Sequence, residues 1–218
     1  MAPTEWLRLF PEADFRFRIG VRQGDAPRFF AREPGWQERE QLRESALDSA
    51  AERYAGALPE SAEAIREAGA AMLGGAADLR AAEPGGLCAE LGRKVDADWV
   101  ILSGDPSEHH PVIAGCVCFP SSWSLPEKLG KPIEKVHAPV PTVAETLDAS
   151  IHTFLSRLAP GAAWERENWG FAADSQLDHH PAIPAPPLTP PPGPMPLGSG
   201  SSGNCSRGCR SPPPSSSG

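Results

Sequence analysis

Two continuous apolar runs, DWVILSG (98–104) and VIAGCVCFP (112–120), constrain this chain more than any other feature. They are separated by DPSEHHP (105–111), a polar stretch with Asp and Pro. Apolar runs joined by a short turn-rich loop predict an antiparallel hairpin. What flanks the hairpin reads as helix. Trp36 to Gly56 is charged and Ala-rich, with Leu42, Ala46, Leu47, Ala50 and Tyr54 at helical spacing. Pro59 breaks that pattern, and a second helix is predicted to about Leu73 with Ile65, Met72 and Leu73 inward. Leu87 to Lys94 predicts one or two further helical turns. Thr142 and Glu145 form a capping box after Pro141, opening a helix with Val143, Leu147, Ile151, Phe154, Leu155 and Leu158 as its apolar stripe. Pro160 and Gly161 end it. Near the start, FRFRIGVRQGD (15–25) alternates apolar and basic residues, the period of an extended edge. Helices, a hairpin and a helix in that order predict an α+β domain with a mostly antiparallel sheet.

Composition divides the chain. From Pro181 to Gly218 there are 12 Pro, 6 Gly and 8 Ser, with no acidic residue. Such a segment cannot bury enough apolar surface to order itself. The expected organisation is therefore one domain over 1–182 and a disordered low-complexity tail over 183–218. The first 180 residues carry 18 basic against 28 acidic side chains. That balance argues against nucleic acid or an anionic membrane surface as a partner. The longest apolar run, 112–119, is far short of a membrane span. MAPTEWLRLFPEADF has no basic segment followed by a long apolar one, so a cytoplasmic location is expected.

No phosphate-binding loop, serine elbow or HExxH is present. Cys88, Cys116 and Cys118 read as buried or free thiols, and Cys118, in a strand beside Phe119, reads as core rather than as a metal thiolate. Cys205 and Cys209 have a spacing some metal sites use, without the second pair that would complete one. His109 and His110 in the hairpin turn, and His179 and His180 before the tail, are expected to be exposed. Side chains of adjacent residues point apart in an extended chain, which argues against each pair sharing a metal.

The stretch 115–141, GCVCFPSSWSLPEKLGKPIEKVHAPVP, stands out. It leaves a strand, carries Trp123 among serines, then a short Lys/Glu-rich helix, then His137. Pro139 and Pro141 stiffen the chain after His137. A stiffly held neutral imidazole suits a metal or haem iron, and equally a structural histidine bonded to loop backbone.

VCFPSSW (117–123), EKLGKPIEKVHAPVP (127–141) and WERENWG (164–170) together resemble the haem-dependent oxidative N-demethylase-like family. FRFRIGVRQGD and SQLDHHPA (175–182) are also similar to its pattern, so the resemblance runs from about Phe15 to Ala182. It implies a PAS-like antiparallel sheet with flanking helices around a haem b. It implies oxidation of a small secondary amine with O2. The N-methyl group becomes a carbinolamine that falls apart to amine and formaldehyde. Electrons would come from NADPH through flavin and iron–sulfur partner components, that is, from a separate reductase. By motif position, His137 is the expected iron ligand. Arg166 is the expected oxygen-facing donor, with Asn168 beside it as a second catalytic residue. Trp123 and Trp169 are the expected pocket residues. Arg166, between Glu165 and Glu167, also reads as a solvated charge, and Trp123, Trp164 and Trp169 as core or pocket wall. After Ala182 the resemblance stops, where family members continue with further strands. The expectation is a domain lacking its last strands, ended by a misread, out-of-frame or isoform-specific tail. Three readings follow: a haem-dependent monooxygenase, a non-catalytic haem- and gas-binding PAS-like module, or an inactive truncated family member.

Overall fold

The computed structural model describes residues 20–137, 143–166, 172–184 and 186–187. The first pair of strands is short: β1 (Arg22–Gln23) pairs antiparallel with β5 (Trp164–Glu165). Arg22 Nε donates to Glu165 at 2.7 Å across this pair. The period-two pattern of 15–25 is thus a strand at 22–23, and residues 15–19 lie outside the described residues. Between these strands come α1 (Ala26–Phe30), α2 (Trp36–Tyr54), β2 (Ala55–Ala57), α3 (Ala62–Leu73), α4 (Pro84–Lys94), β3 (Trp99–Leu102), β4 (Val112–Cys116), α5 (Ile133–His137) and α6 (Val143–Ser156).

The hairpin forms as its pattern requires. β3 and β4 pair antiparallel, with an irregularity between Ile101 and Leu102. Asp105 closes the turn by accepting from the backbone N–H of Ser107 at 2.8 Å. A third strand joins the other edge of β4. β2 pairs with it, giving the order β2-β4-β3 and aligning Ala55, Cys116 and Trp99 in one row. The helical pattern of 36–56 therefore ends two residues early. Ala55 is extended: its N–H still bonds Ala51 O at the helix end, while the edge of β4 takes up the flanking Tyr54 O, from Val117 N, and Leu58 N, to Ile113 O. The architecture is α+β with small antiparallel sheets.

α4 is a full helix of 11 residues rather than one or two turns, and it is the centre of the packing. Pro84 opens it and Arg93 and Lys94 sit in its last turn, where the helix dipole favours cations. Its Leu87, Cys88, Leu91 and Gly92 face inward. A side chain at Gly92 would collide with the Cys116 sulfur, so glycine is what lets α4 lie directly on β4. Leu47 and Tyr54 of α2, Ile65 of α3, and Trp99, Ala114, Cys116 and Cys118 complete the core. Full burial of each large aliphatic contributes about 1.5–3 kcal/mol. Three expected inward residues face solvent: Leu42, Leu73 and Leu158 are each at least 40% exposed. α2 is turned so that Arg43, not Leu42, is buried, and α6 ends at Ser156 before Leu158 is reached. Thr142 and its capping box lie outside the described residues. Among the described residues no helix is long and apolar enough to cross a membrane.

Candidate functional site

The segment leaving β4 is fixed from below by one carboxylate. Asp98 accepts from the backbone N–H groups of Cys118 (3.1 Å) and Phe119 (2.8 Å) and from Arg43 Nη1 (2.7 Å). The Arg43 guanidinium is buried and lies 4.9 Å from the Phe119 ring centroid. Burial works against its charge, and Asp98 more than offsets that, so its pKa is raised. One helical turn earlier, Arg39 holds Asp96 through both oxygens. Cys116 and Cys118 are buried with their sulfurs 3.8 Å apart, and Cys88 is buried as well. Burial pushes the Cys88 thiol up to about 11, and Cys116 is raised by its bond to Cys118 and by burial. These are core thiols, as the sequence suggests, and poor nucleophiles.

Beyond Phe119 the chain meets a segment more than fifty residues later. The backbone of His179 donates to Pro120 O (3.0 Å) and accepts from Ser122 N (3.0 Å). Ser122 adopts φ +62 to make this contact. Thus VCFPSSW and SQLDHHPA, separate in sequence, form one junction, with Trp123 half-buried at its edge. α2 supports it from the core side. The Tyr54 carbonyl accepts from Val117 N (2.7 Å), and its hydroxyl donates to Asp178 Oδ2 (2.6 Å). Asp178 Oδ1 accepts from the backbone of His180 (2.9 Å). His179 Nε2 bonds Asp174 (3.0 Å). Burial first, and Asp178 second, hold the Tyr54 phenol above its ordinary range.

A second histidine group forms at the hairpin turn. His109 and His110 both have positive φ. His109 Nδ1 lies 3.0 Å from Glu134 of α5, His110 Nδ1 donates to Ser103 O (3.0 Å), and Ser156 of α6 donates to His110 Nε2 (3.2 Å). The His152 ring is 5.3 Å from His109 and 5.5 Å from His110. His109 lowers the Glu134 pKa against the opposing effect of burial. This group clamps α5 and α6 to the turn.

His110 and His180 are therefore buried, not exposed as expected. Their neighbours made the pairs look like surface turns, but each is claimed by a distant element. Of the expected site residues, His137 is the last residue of α5, Trp123 borders the junction, and Arg166 is exposed directly after β5. The Trp164 ring meets Phe154 of α6 edge-on, so it is a packing residue at 48% exposure. Asn168 and Trp169 lie outside the described residues, as does the His137 side chain. The sequence reading missed Tyr54 and Asp178 as site residues. The available signal was that Tyr54 is the one tyrosine of the chain.

For a haem, the chain carries a ligand of fitting type in His137, which ends α5, and His180 Nε2 is buried with no partner among the described residues. Trp99 Nε1 is the other buried nitrogen without a partner among the described side chains, and it lies within the packed sheet. The cavity lined by Arg32, Trp36 and Asp96, about 10 Å³, is too small for more than a water and is not a cofactor site. Among the described residues, no group of three or more His, Cys, Asp and Glu is arranged to hold a bare metal ion.

One family model, described as haem-dependent oxidative N-demethylase, alpha subunit-like, matches residues 71–196, more than half of the chain. No curated protein matches significantly.

Proposed function

The chain belongs to the haem-dependent oxidative N-demethylase, alpha subunit-like family, and from that premise we propose that it is a haem-dependent oxidoreductase that removes an N-methyl group from a small secondary amine. The observation that carries this is the family match, which spans α4, the hairpin, the junction and the segments of His137 and Arg166. When bound, haem b supplies the activation of O2 and the one-electron steps that no side chain provides. In this reading His137 holds the iron through a neutral imidazole. Arg166 sets a fixed positive charge where negative charge develops on oxygen, the electrostatic role of an oxyanion site. Asn168 orients the amine, and Trp123 and Trp169 wall the site from water. In this reading the domain is of the PAS-like kind. The subunit takes electrons from a partner reductase that carries flavin and iron–sulfur groups and uses NADPH. The Asp98 anchor and the α5/α6 clamp support the assignment physically, since a site needs rigid supports for its positioned groups.

The test is to express the full chain with haem supplied and record its absorption. A Soret band that is lost in His137→Ala is the expected result. No Soret band in the wild-type chain would overturn the proposal. NADPH-driven formaldehyde release from dimethylamine, with a reductase added, separates the enzyme from a haem-binding module without turnover.

A further inference from the structure

α5 has five residues, too few to hold a helix by itself, so its place is set by what its start is tied to. The chain entering it is laced to the first residue of β4. Gly130 N donates to Val112 O (2.8 Å), and Val112 N donates to Lys131 O (3.1 Å). The first two residues of α5 are then both tied to His109 in the hairpin turn. Ile133 N donates to the His109 carbonyl (3.2 Å). Glu134 Oε1 accepts from His109 Nδ1 (3.0 Å), because a carboxylate can only accept. The turn is a fixed base for these bonds. Buried His110 donates to Ser103 O and accepts from Ser156 of α6, and the His109 N–H donates to Pro106 O (3.2 Å).

His109 is not the residue that stability alone would place there. Its φ is +60, in the left-handed region where glycine is favoured and a side chain is strained. Its imidazole is 59% exposed, and an exposed pair with a carboxylate adds little to folding. A strained residue making a bond of small folding value points to function. Locally, that bond fixes the first turn of α5. His137 lies three residues beyond Glu134, about 4.5 Å along the helix axis, and ends the same element. We propose that His109 and Glu134 are positioning residues that set the place of His137, the iron ligand of the reading above, on which this inference rests. They act through His137 and not on the iron. They hold the start of a short element whose end carries the ligand, the kind of support a positioned ligand requires.

The test loads the full-length chain with iron protoporphyrin IX and, separately, with metal-free protoporphyrin IX. Release of the first is followed by its Soret band and of the second by its fluorescence. The metal-free ring forms no bond to a ligand, so the ratio of the two release rates reports the His137–iron bond and cancels changes common to both. Wild type is expected to retain the iron porphyrin longer, and His137→Ala to abolish that preference. His109→Gly removes the donor and suits the backbone of the turn. It is expected to lower the preference about threefold, the worth of one exposed charged pair, with the unfolding midpoint no lower than wild type. Glu134→Ala is expected to lower the preference equally, and Glu134→Gln, which keeps an acceptor, to retain part of it. Adding His109→Gly to His137→Ala should lower it no further. If His109→Gly does not fold, the two Glu134 variants carry the test. Failure of the wild type to bind iron porphyrin would overturn the functional reading and this inference with it. An iron preference absent from wild type, or retained in His137→Ala, would overturn the ligand assignment and this inference together. A preference abolished by His137→Ala but unchanged in His109→Gly or in Glu134→Ala overturns the inference alone and leaves the functional reading standing.

Discussion

Two polar clusters hang from the same helix, α2, and they differ in completeness. Around Asp98, three donors meet one carboxylate, and Arg43 is paired and covered by Phe119. Around Asp178, both oxygens are engaged, but His180 Nε2 is buried with no partner among the described residues. The closed cluster fixes the exit of β4 and has no capacity for anything more. The second cluster fixes the return of residues 174–183 with one of its donors unmet. Buried polar groups that are fully satisfied support a fold, while one left unmet lowers the stability of its cluster.

Asp98→Ala should produce the largest effect. It strands the buried Arg43 charge and two backbone donors, and a loss of about 3–5 kcal/mol in urea unfolding is expected. A loss under about 1 kcal/mol would mean that the closed cluster is not what anchors β4. Gly92→Ala should cost about 1–3 kcal/mol, because its methyl must displace Cys116 from the α4–β4 contact. That substitution tests the core between the two clusters, and neutral behaviour would show that α4 can shift. Tyr54→Phe should cost about 1–2 kcal/mol by removing the hydroxyl from Asp178.

The same residue gives a pH signature. Its folded pKa lies above the ordinary 10.0. The unfolded chain therefore loses the proton first as pH rises. The stabilisation is complete below pH 10 and disappears as pH climbs through the folded value. Because Tyr54 is the one tyrosine, alkaline absorbance reads it alone. Wild type should lose stability there relative to Tyr54→Phe, and a phenol titrating at or below its ordinary value would contradict the cluster. At the bottom of the scale, Arg80→Ala breaks only a surface pair with Asp78 and should leave the unfolding midpoint unchanged.

Much of the secondary structure is legible locally. The hairpin, α2, α3 and α6 each follow from a run of residues whose period or punctuation suffices. β2 does not. Three residues, Ala-Gly-Ala, carry no strand signal, and the open edge of β4 makes them one. The facing of α2 is similar. Leu42 is the better core residue by chemistry, yet Arg43 goes inside because Asp98 waits 55 residues away. The thiols were legible from their place in an apolar run, although β4 ends at Cys116 and Cys118 is buried two residues beyond it rather than on the expected strand. The burial of His110 and His180 was not, since a short polar turn looks the same whether or not another element closes over it.

The sequence by itself determined the α+β class, the hairpin, the family and the motifs that carry it. Those depend on local pattern and on the identity of short segments. Only the tertiary structure decided that VCFPSSW and SQLDHHPA meet, that Tyr54 belongs with them, and that His180 Nε2 is buried without a partner among the described residues. Hydrogen-bond satisfaction is a property of three-dimensional neighbours, so no single segment of the chain could reveal which donor would be left open.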